Sequence, residues 1–223
     1  MTVIGLDGFR RGWVAAWSNG ASNGLMFLDN IAELLKFPHK IAMIDIPIGL
    51  PESGYRTCDL EAKQLLGAHA SRVFTGARRP LLKFKSREQA HDWFKRRGEP
   101  GVSCQLWCLT EKIRQVDQIM TPERQRTIKE THPELVFLRL NHDEPLPGKK
   151  TPDGRLRRRD LIFREGFIAI DKWLEHCRLG TGAKPDDVLD ACACAIAARD
   201  GRIRLPQGRQ ETDERDLKME IWS

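Results

Sequence analysis

The chain has 223 residues, of which 40% are hydrophobic and 30% charged, with a formal net charge of +6. That length suits one large domain, or one domain carrying an insertion, and can bury a sizeable core. No apolar run reaches membrane-spanning length, because Asp45 and Pro47 interrupt the best candidate, Ile41 to Leu50, and the basic balance suits a polyanionic partner without demanding one.

Val3–Phe9 is apolar and reads as a first strand. Gly12–Ser18 (GWVAAWS) reads as a second and Gly24–Leu28 as a third, at intervals short enough for an antiparallel meander. Asn30 can cap a short helix over Ile31–Phe37. Lys40–Ile46 (KIAMIDI) is continuously apolar, the pattern of a central strand buried on both faces, and Pro47 and Pro51 stop it. The remainder reads as mostly helical. Thr57 can cap Cys58–Leu66. Ser86 with Gln89 gives a capping-box pattern for a helix ended by Gly98. Ser103–Ile119 has helical spacing, and Arg126–Thr131 is a candidate strand before a Pro-started helix over Glu134–Leu140. Asn141–Arg155 reads as a mobile loop. Leu156–Cys177 is expected to be one long amphipathic helix and Lys184–Arg199 the last. The stretch beyond Gln207 is polar and expected to fray. A start on strand-like VIGLDG leaves no room for a signal peptide, so a cytoplasmic protein is expected.

The six cysteines fit reduced thiols better than disulfides. Cys192 and Cys194 sit in an Ala-rich segment and read as small buried apolar residues. Cys104 and Cys108 are one helical turn apart, but no Cys/His pair follows at zinc spacing. Three segments concentrate positive charge: Arg10–Arg11, Arg72 with Arg78 and Arg79, and Lys149–Arg159. Each segment alone is more simply a solvated surface. The tryptophans are scattered at apolar-face positions, so a basic groove threaded with aromatics is not visible.

Four acids stand where structure alone rarely puts them. Asp7 lies in the first strand, and Asp45 at the end of the buried strand. Asp187 and Asp190 lie in a helix that is otherwise small and apolar (VLDACACAIAA). Asp is poor in strands, and a buried lone carboxylate costs several kcal/mol unless neutralised or metal-bound. Asp187 and Asp190, three apart, share a helix face. If that helix packs beside the strand ends, four carboxylates converge, and Mg²⁺ or Mn²⁺ most simply relieves the repulsion. Each acid has a bland alternative: a hairpin turn at Asp7-Gly8, a turn at Asp45 before Pro47, a helix N-terminus at Asp186 and Asp187.

IGLDGFRRGW resembles the first strand and hairpin of the ribonuclease H-like superfamily, and AMIDIPIGLP resembles the strand whose acid completes its metal site. DDVLDACACAIA resembles the DxxDA helix of RuvC-type Holliday junction resolvases. More closely, IDIPIGLP, RTCDLEAKQLLG, SRVFTGARRPLL, ETHPELVF, the KKTPDGR loop and the last helix resemble an uncharacterised family, domain of unknown function 429, described as RNase H-like nucleases. The resemblance runs from Val3 to Asp200. It implies an α/β fold in which three antiparallel strands precede parallel strands, flanked by helices. One domain over 1–206 would carry a helical insertion at about 56–125, with a polar tail at 207–223. It further implies a nuclease in which Asp7 bridges two metals, Asp45 is the second ligand and Asp190 with Asp187 the third. Glu134 becomes an extra ligand or general base, or else only a first-turn helix acid. Arg56, Arg72, Arg79 and Lys149 become candidate phosphate clamps, with ion pairing as the plainer role for each. Nucleic acid is the expected partner, and resolvase-like enzymes act as dimers. The alternatives are a non-catalytic nucleic-acid-binding module, an actin- or sugar-kinase-like phosphotransferase, and a hydrolase of small phosphorylated metabolites. Against the phosphotransferase, no Gly-rich adenosine loop appears late in the chain, and GKKT lacks the upstream glycine of a P-loop, Asp143 standing there.

Overall fold

The apolar segments Val3–Phe9 (β1) and Gly12–Ser18 (β2) pair antiparallel from Val3↔Ser18 to Phe9↔Gly12 across a turn at Arg10–Arg11. The turn falls there and not at Asp7-Gly8, so Asp7 is a mid-strand residue opposite Val14. Asn23–Leu28 (β3) continues the meander. A capped 3₁₀ turn over Ile31–Lys36 leads to Ile41–Ile44 (β4), shorter than the apolar run because the backbone leaves the ladder at Asp45. Ile128–Glu130 (β5) completes a five-stranded sheet in the order β3-β2-β1-β4-β5, with β4 parallel to β1 and β5 parallel to β4.

The structure, a computed structural model, describes residues 1–176 and 182–223. Its helices are Thr57–Leu66 (α1), Arg87–Lys95 (α2), Cys104–Ile119 (α3), Pro133–Leu140 (α4), Pro152–Arg164 (α5), Ile170–His176 (α6) and Pro185–Asp200 (α7). Two compact units result. The first comprises 1–45, 127–203 and 222–223 and holds the sheet with α4 to α7; the second comprises 46–126 and 204–221. The second unit is wider than the expected insertion, beginning at Ile46 and taking in the C-terminal stretch.

In the first unit α7 lies directly on the sheet. A side chain at Gly5 would put its Cβ 1.9 Å from the Ala195 nitrogen and 2.3 Å from the Ala191 oxygen, so the missing side chain is what lets helix and strand backbones meet. The Ala- and Cys-rich stretch from Ala191 to Ala198 is buried for the same reason: small residues keep the axis close. Val3, Phe9, Val14, Ala16 and Met43 share that face in one apolar cluster with α7, while Ile4, Leu6, Trp13, Ala15 and Ile44 are buried on the other. Burial on both faces is why β1 and β4 read as continuous apolar runs.

Three expectations fail locally. The supposed single helix over Leu156–Cys177 is two, because Gly166 at φ +97° takes a left-handed conformation that ends α5 before α6 begins. Cys177 lies outside the described residues. The loop expected over Asn141–Arg155 stops earlier: Thr151 accepts from the Gly154 amide and starts α5 at Pro152. Thr57 does not cap α1; it is the helix's first residue, and its hydroxyl donates to Glu211.

The polar stretch near the C-terminus does not fray. Within the second unit, Asp213 accepts from the Leu50, Arg215 and Leu217 amides, and Gln125 exchanges two hydrogen bonds with the Lys218 backbone. Leu217, Met219 and Ile221 are buried. The five described cysteines are free, with Cys104 and Cys108 exposed.

Candidate functional site

The candidate site lies wholly in the first unit, at the end of α7 that crosses β1. Gly5 faces α7, so Asp7, two residues on, faces it too. The parallel register carries β4 beside β1, and the Asp45 amide donates to the Leu6 carbonyl at 3.1 Å, which sets Asp45 next to Asp7. Asp190 is one position before Ala191, whose carbonyl lies over Gly5, and is 3% exposed. Strand alternation, ladder register and helix crossing thus bring residues 7, 45 and 190 together.

Their electrostatics report the same convergence. Burial raises Asp7 well above the ordinary carboxylate range, and Asp190, Asp45 and Asp187 raise it further. Asp45 is pushed up to about 6, first by burial and then by Asp190 and Glu134, against the lowering effect of His132 and Lys149. Asp190 and Asp187 are also raised, chiefly by burial. Even the Cys194 thiol is held up by burial and then by Asp45, Asp7 and Asp190.

Lys149 supplies the local countercharge. Its Nζ donates to Asp190 Oδ2 at 2.7 Å, and Asp190, followed by Asp7 and Asp45, raises its pKa. Against four carboxylates, this ammonium leaves an excess of three negative charges when all are ionised. Asp187 is partly committed elsewhere, accepting from the Lys184 amide at 2.6 Å and so satisfying an orphan N–H at the start of α7. The capping role thus belongs to Asp187. Asp186 instead lies 3.7 Å from Arg155.

The remaining candidates take structural partners. Both Glu134 oxygens are 2.8 Å from Arg158 Nη2, and Arg158 also donates to the Pro147 and Gly154 carbonyls. With Arg158 at 1% and Glu134 at 7% exposure, this pair ties α4 to α5. Of the readings open to Glu134, extra ligand, general base or first-turn helix acid, the pairing with Arg158 gives it an anchoring role in this structure. Arg56, 1% exposed, is held by Asp59 and the Ile48 carbonyl, and Arg79 by Asp117 and Asp213. Both guanidinium groups are ion-paired, while Arg79 Nε is left without a hydrogen-bond partner among the described residues. Arg72 is half-buried in the second unit and likewise has a partner. The basic run after Lys149 is also largely paired, Arg157 with Asp153 and Arg159 with Asp171.

Sequence reasoning missed two neighbours. His132 lowers Asp45 and caps α4, its Nδ1 accepting from the Glu134 amide at 3.3 Å. Arg158 was hidden among five arginines in the α5 sequence, and only burial separates it from the others. Among the described residues, no three His, Cys, Asp or Glu side chains are grouped closely enough to hold a metal ion as they stand.

These features define an α/β protein with a mixed five-stranded sheet and a half-buried carboxylate cluster. The chain belongs to the family described as "Protein of unknown function (DUF429)", whose profile matches residues 5–211. No curated protein and no solved structure matches it.

Proposed function

We propose that the chain is a divalent-cation-dependent hydrolase of phosphodiester bonds in nucleic acid, built on a ribonuclease H-like sheet. Three antiparallel strands followed by two parallel ones, with an acidic helix across the first, support that architecture. One observation carries the chemistry. Buried Asp190 and half-buried Asp7 and Asp45 come from three distant segments; Asp190 and Asp45 raise the Asp7 carboxyl, Asp190 raises Asp45, and together they carry more negative charge than Lys149 offsets. Packing alone gives no reason to assemble like charges, which a fold tolerates at a cost when a site requires them.

The donors are all hard oxygens, the chemistry Mg²⁺ and Mn²⁺ select. Asp7, Asp45 and Asp190 would hold the cation, with Asp187 at the margin. The bound ion would supply an activated water and neutralise charge on the phosphate. Lys149, with its side chain 44% exposed, would meet a phosphate oxygen at the rim. The Arg158–Glu134 pair holds the start of α5, and with it the loop that carries Lys149. A binding module without chemistry would rely on the basic run at Lys149–Arg159, and its pairing with acids weakens that reading.

The test is calorimetric titration with Mn²⁺ alongside hydrolysis of bis(p-nitrophenyl) phosphate and of oligonucleotides. Asp7→Asn and Asp190→Asn are each expected to abolish hydrolysis and weaken Mn²⁺ binding while the variants still unfold cooperatively. A flat Mn²⁺ isotherm for the wild type, or full hydrolysis by both variants, would overturn the proposal.

A further inference from the structure

The second unit contains a pocket of about 310 Å³ that the carboxylate cluster does not involve. It opens between α1, the segment Ser71–Gly76 and the start of α3. Its lining is unusual in two respects. The first is charge. Lys63 is the only charged residue lining it, no acid lines it, and Lys63 makes no ion pair among the described residues. The first turn of α3, entered through Ser103 and Gln105, adds the positive end of a 16-residue helix. The hydroxyl of Thr75 is a further donor. The pocket therefore favours an anion.

The second is aromatic. Tyr55 and Phe74 both line the pocket and are 45% and 42% exposed. Large aromatic side chains are ordinarily turned inward, and two left open at one cavity need a reason. Gly76 also lines the pocket; at φ +93° it takes a backbone conformation that L side chains avoid, and a Cβ there would lie 3.8 Å from the Tyr55 ring. The wall there is bare backbone beside an open aromatic ring.

An ammonium and a helix N-terminus for a phosphate, with exposed rings for a flat heterocycle, are complementary to one chemical unit. We propose that this pocket binds an unpaired nucleotide, its base stacked on Tyr55 or Phe74 and its phosphate met by Lys63 and the start of α3. The volume lies at the lower end of small-ligand sites, the scale of a single nucleotide. Stacking is tolerant of base identity, so the pocket grips single strands without reading sequence. The census of tryptophans could not show this, because the rings are a tyrosine and a phenylalanine brought together by folding. The inference rests on the phosphodiester reading for the link between the bound nucleotide and the bond that is cut; the binding itself stands on the pocket.

The experiment uses the full chain in EDTA, so that no cation is needed, and a fluorescein-labelled single-stranded decanucleotide followed by anisotropy. Unlabelled AMP and UMP compete in a second arm, which separates a free nucleotide from one within a strand. Tyr55→Ala and Lys63→Glu are each expected to weaken binding about tenfold. Lys63→Ala is expected to reduce the log–log salt slope by about 0.7. Lys95→Glu, an equal charge change on α2 outside the pocket lining, is the control. Losses for the pocket variants matching that of Lys95→Glu, or no binding of strand or mononucleotide by the wild type, would overturn the inference. Displacement by the mononucleotides at strand-like affinity supports a free nucleotide as ligand, and displacement by strands alone supports a strand. Tyr55 is exposed and Lys63 half-buried, and thermal unfolding of each variant checks that the fold is intact. The Mn²⁺ isotherm reports the carboxylate cluster separately, so either idea can fail without the other.

Discussion

Replacing Lys149 by Met removes the countercharge and keeps the aliphatic stem, and two effects of opposite sign follow. Removing one partner of a buried pair costs about 3–5 kcal/mol. Asp190 is 4% exposed at its side chain but Lys149 is 44% exposed. Solvent therefore screens part of that interaction, and a loss of about 2 kcal/mol in metal-free stability is expected. Cation affinity moves the other way. Adjacent unit charges at an effective dielectric of about 20 interact by about 4 kcal/mol, and the exposed ammonium leaves roughly a third of that repelling an incoming cation. Relief of about 1.4 kcal/mol tightens the Mn²⁺ Kd tenfold. Urea unfolding in EDTA measures the first effect and calorimetry the second. At Mn²⁺ a hundredfold above Kd, linkage returns about 2.7 kcal/mol, enough to restore the variant's midpoint. Unchanged or weaker Mn²⁺ binding in Lys149→Met would refute the reasoning, because it would make Lys149 part of the site's support and not a competitor for its carboxylates.

Gly5→Ala drives a methyl group into the α7 backbone, 1.9 Å from the Ala195 nitrogen, so the variant is expected to lose about 3 kcal/mol or more, read as a lower urea midpoint; an unchanged midpoint would mean that α7 does not pack there. Arg158→Met strands Glu134 and is expected to cost about 3–5 kcal/mol, most of it recovered in the Arg158→Met/Glu134→Leu double variant; failure of the second change to rescue would show that the pair is not the source of the loss. The cluster also sets a pH dependence. Asp7, Asp45, Asp187 and Asp190 are all raised on folding, so the folded state holds the extra protons. Their contribution is fully present below the unfolded value of 3.8 and is lost as pH rises through the folded values, about 6 for Asp45. In EDTA, Asp45→Asn should flatten the decline between about pH 4 and 7 and stabilise the protein at pH 7.5 by on the order of 2 kcal/mol. A steeper decline in that variant would contradict the sign.

Much of the first unit was legible because its signals are local. β1 and β2 are apolar segments of seven residues each separated by a short turn, and their observed bounds match those read from the pattern. Ser86 announces α2 by accepting from the Gln89 amide, and helical spacing marks α3, whose cap Ser103 stood as the first residue of the expected helix. The four acids stood out by composition alone, since Asp rarely occurs in such apolar surroundings. Helix ends governed by a single left-handed residue were less legible, and Gly166 divided what periodicity had joined.

Ion pairing could be expected of the cations, but which acid each one meets was not legible. Arg56, Arg79, Arg158 and Lys149 look alike in a sequence, and partner choice separates them: Asp59, Asp213, Glu134 and Asp190 lie 3, 134, 24 and 41 positions away. Three of those partners are remote in the chain, beyond the reach of any local pattern. By itself the sequence determined which segments form strands and helices, because hydrophobic period and caps act within a few residues. Only the tertiary structure decided which charges meet, because the crossing of α7 over Gly5 and the register of β4 on β1 are contacts between distant segments, and pairing energies depend on the burial those contacts create.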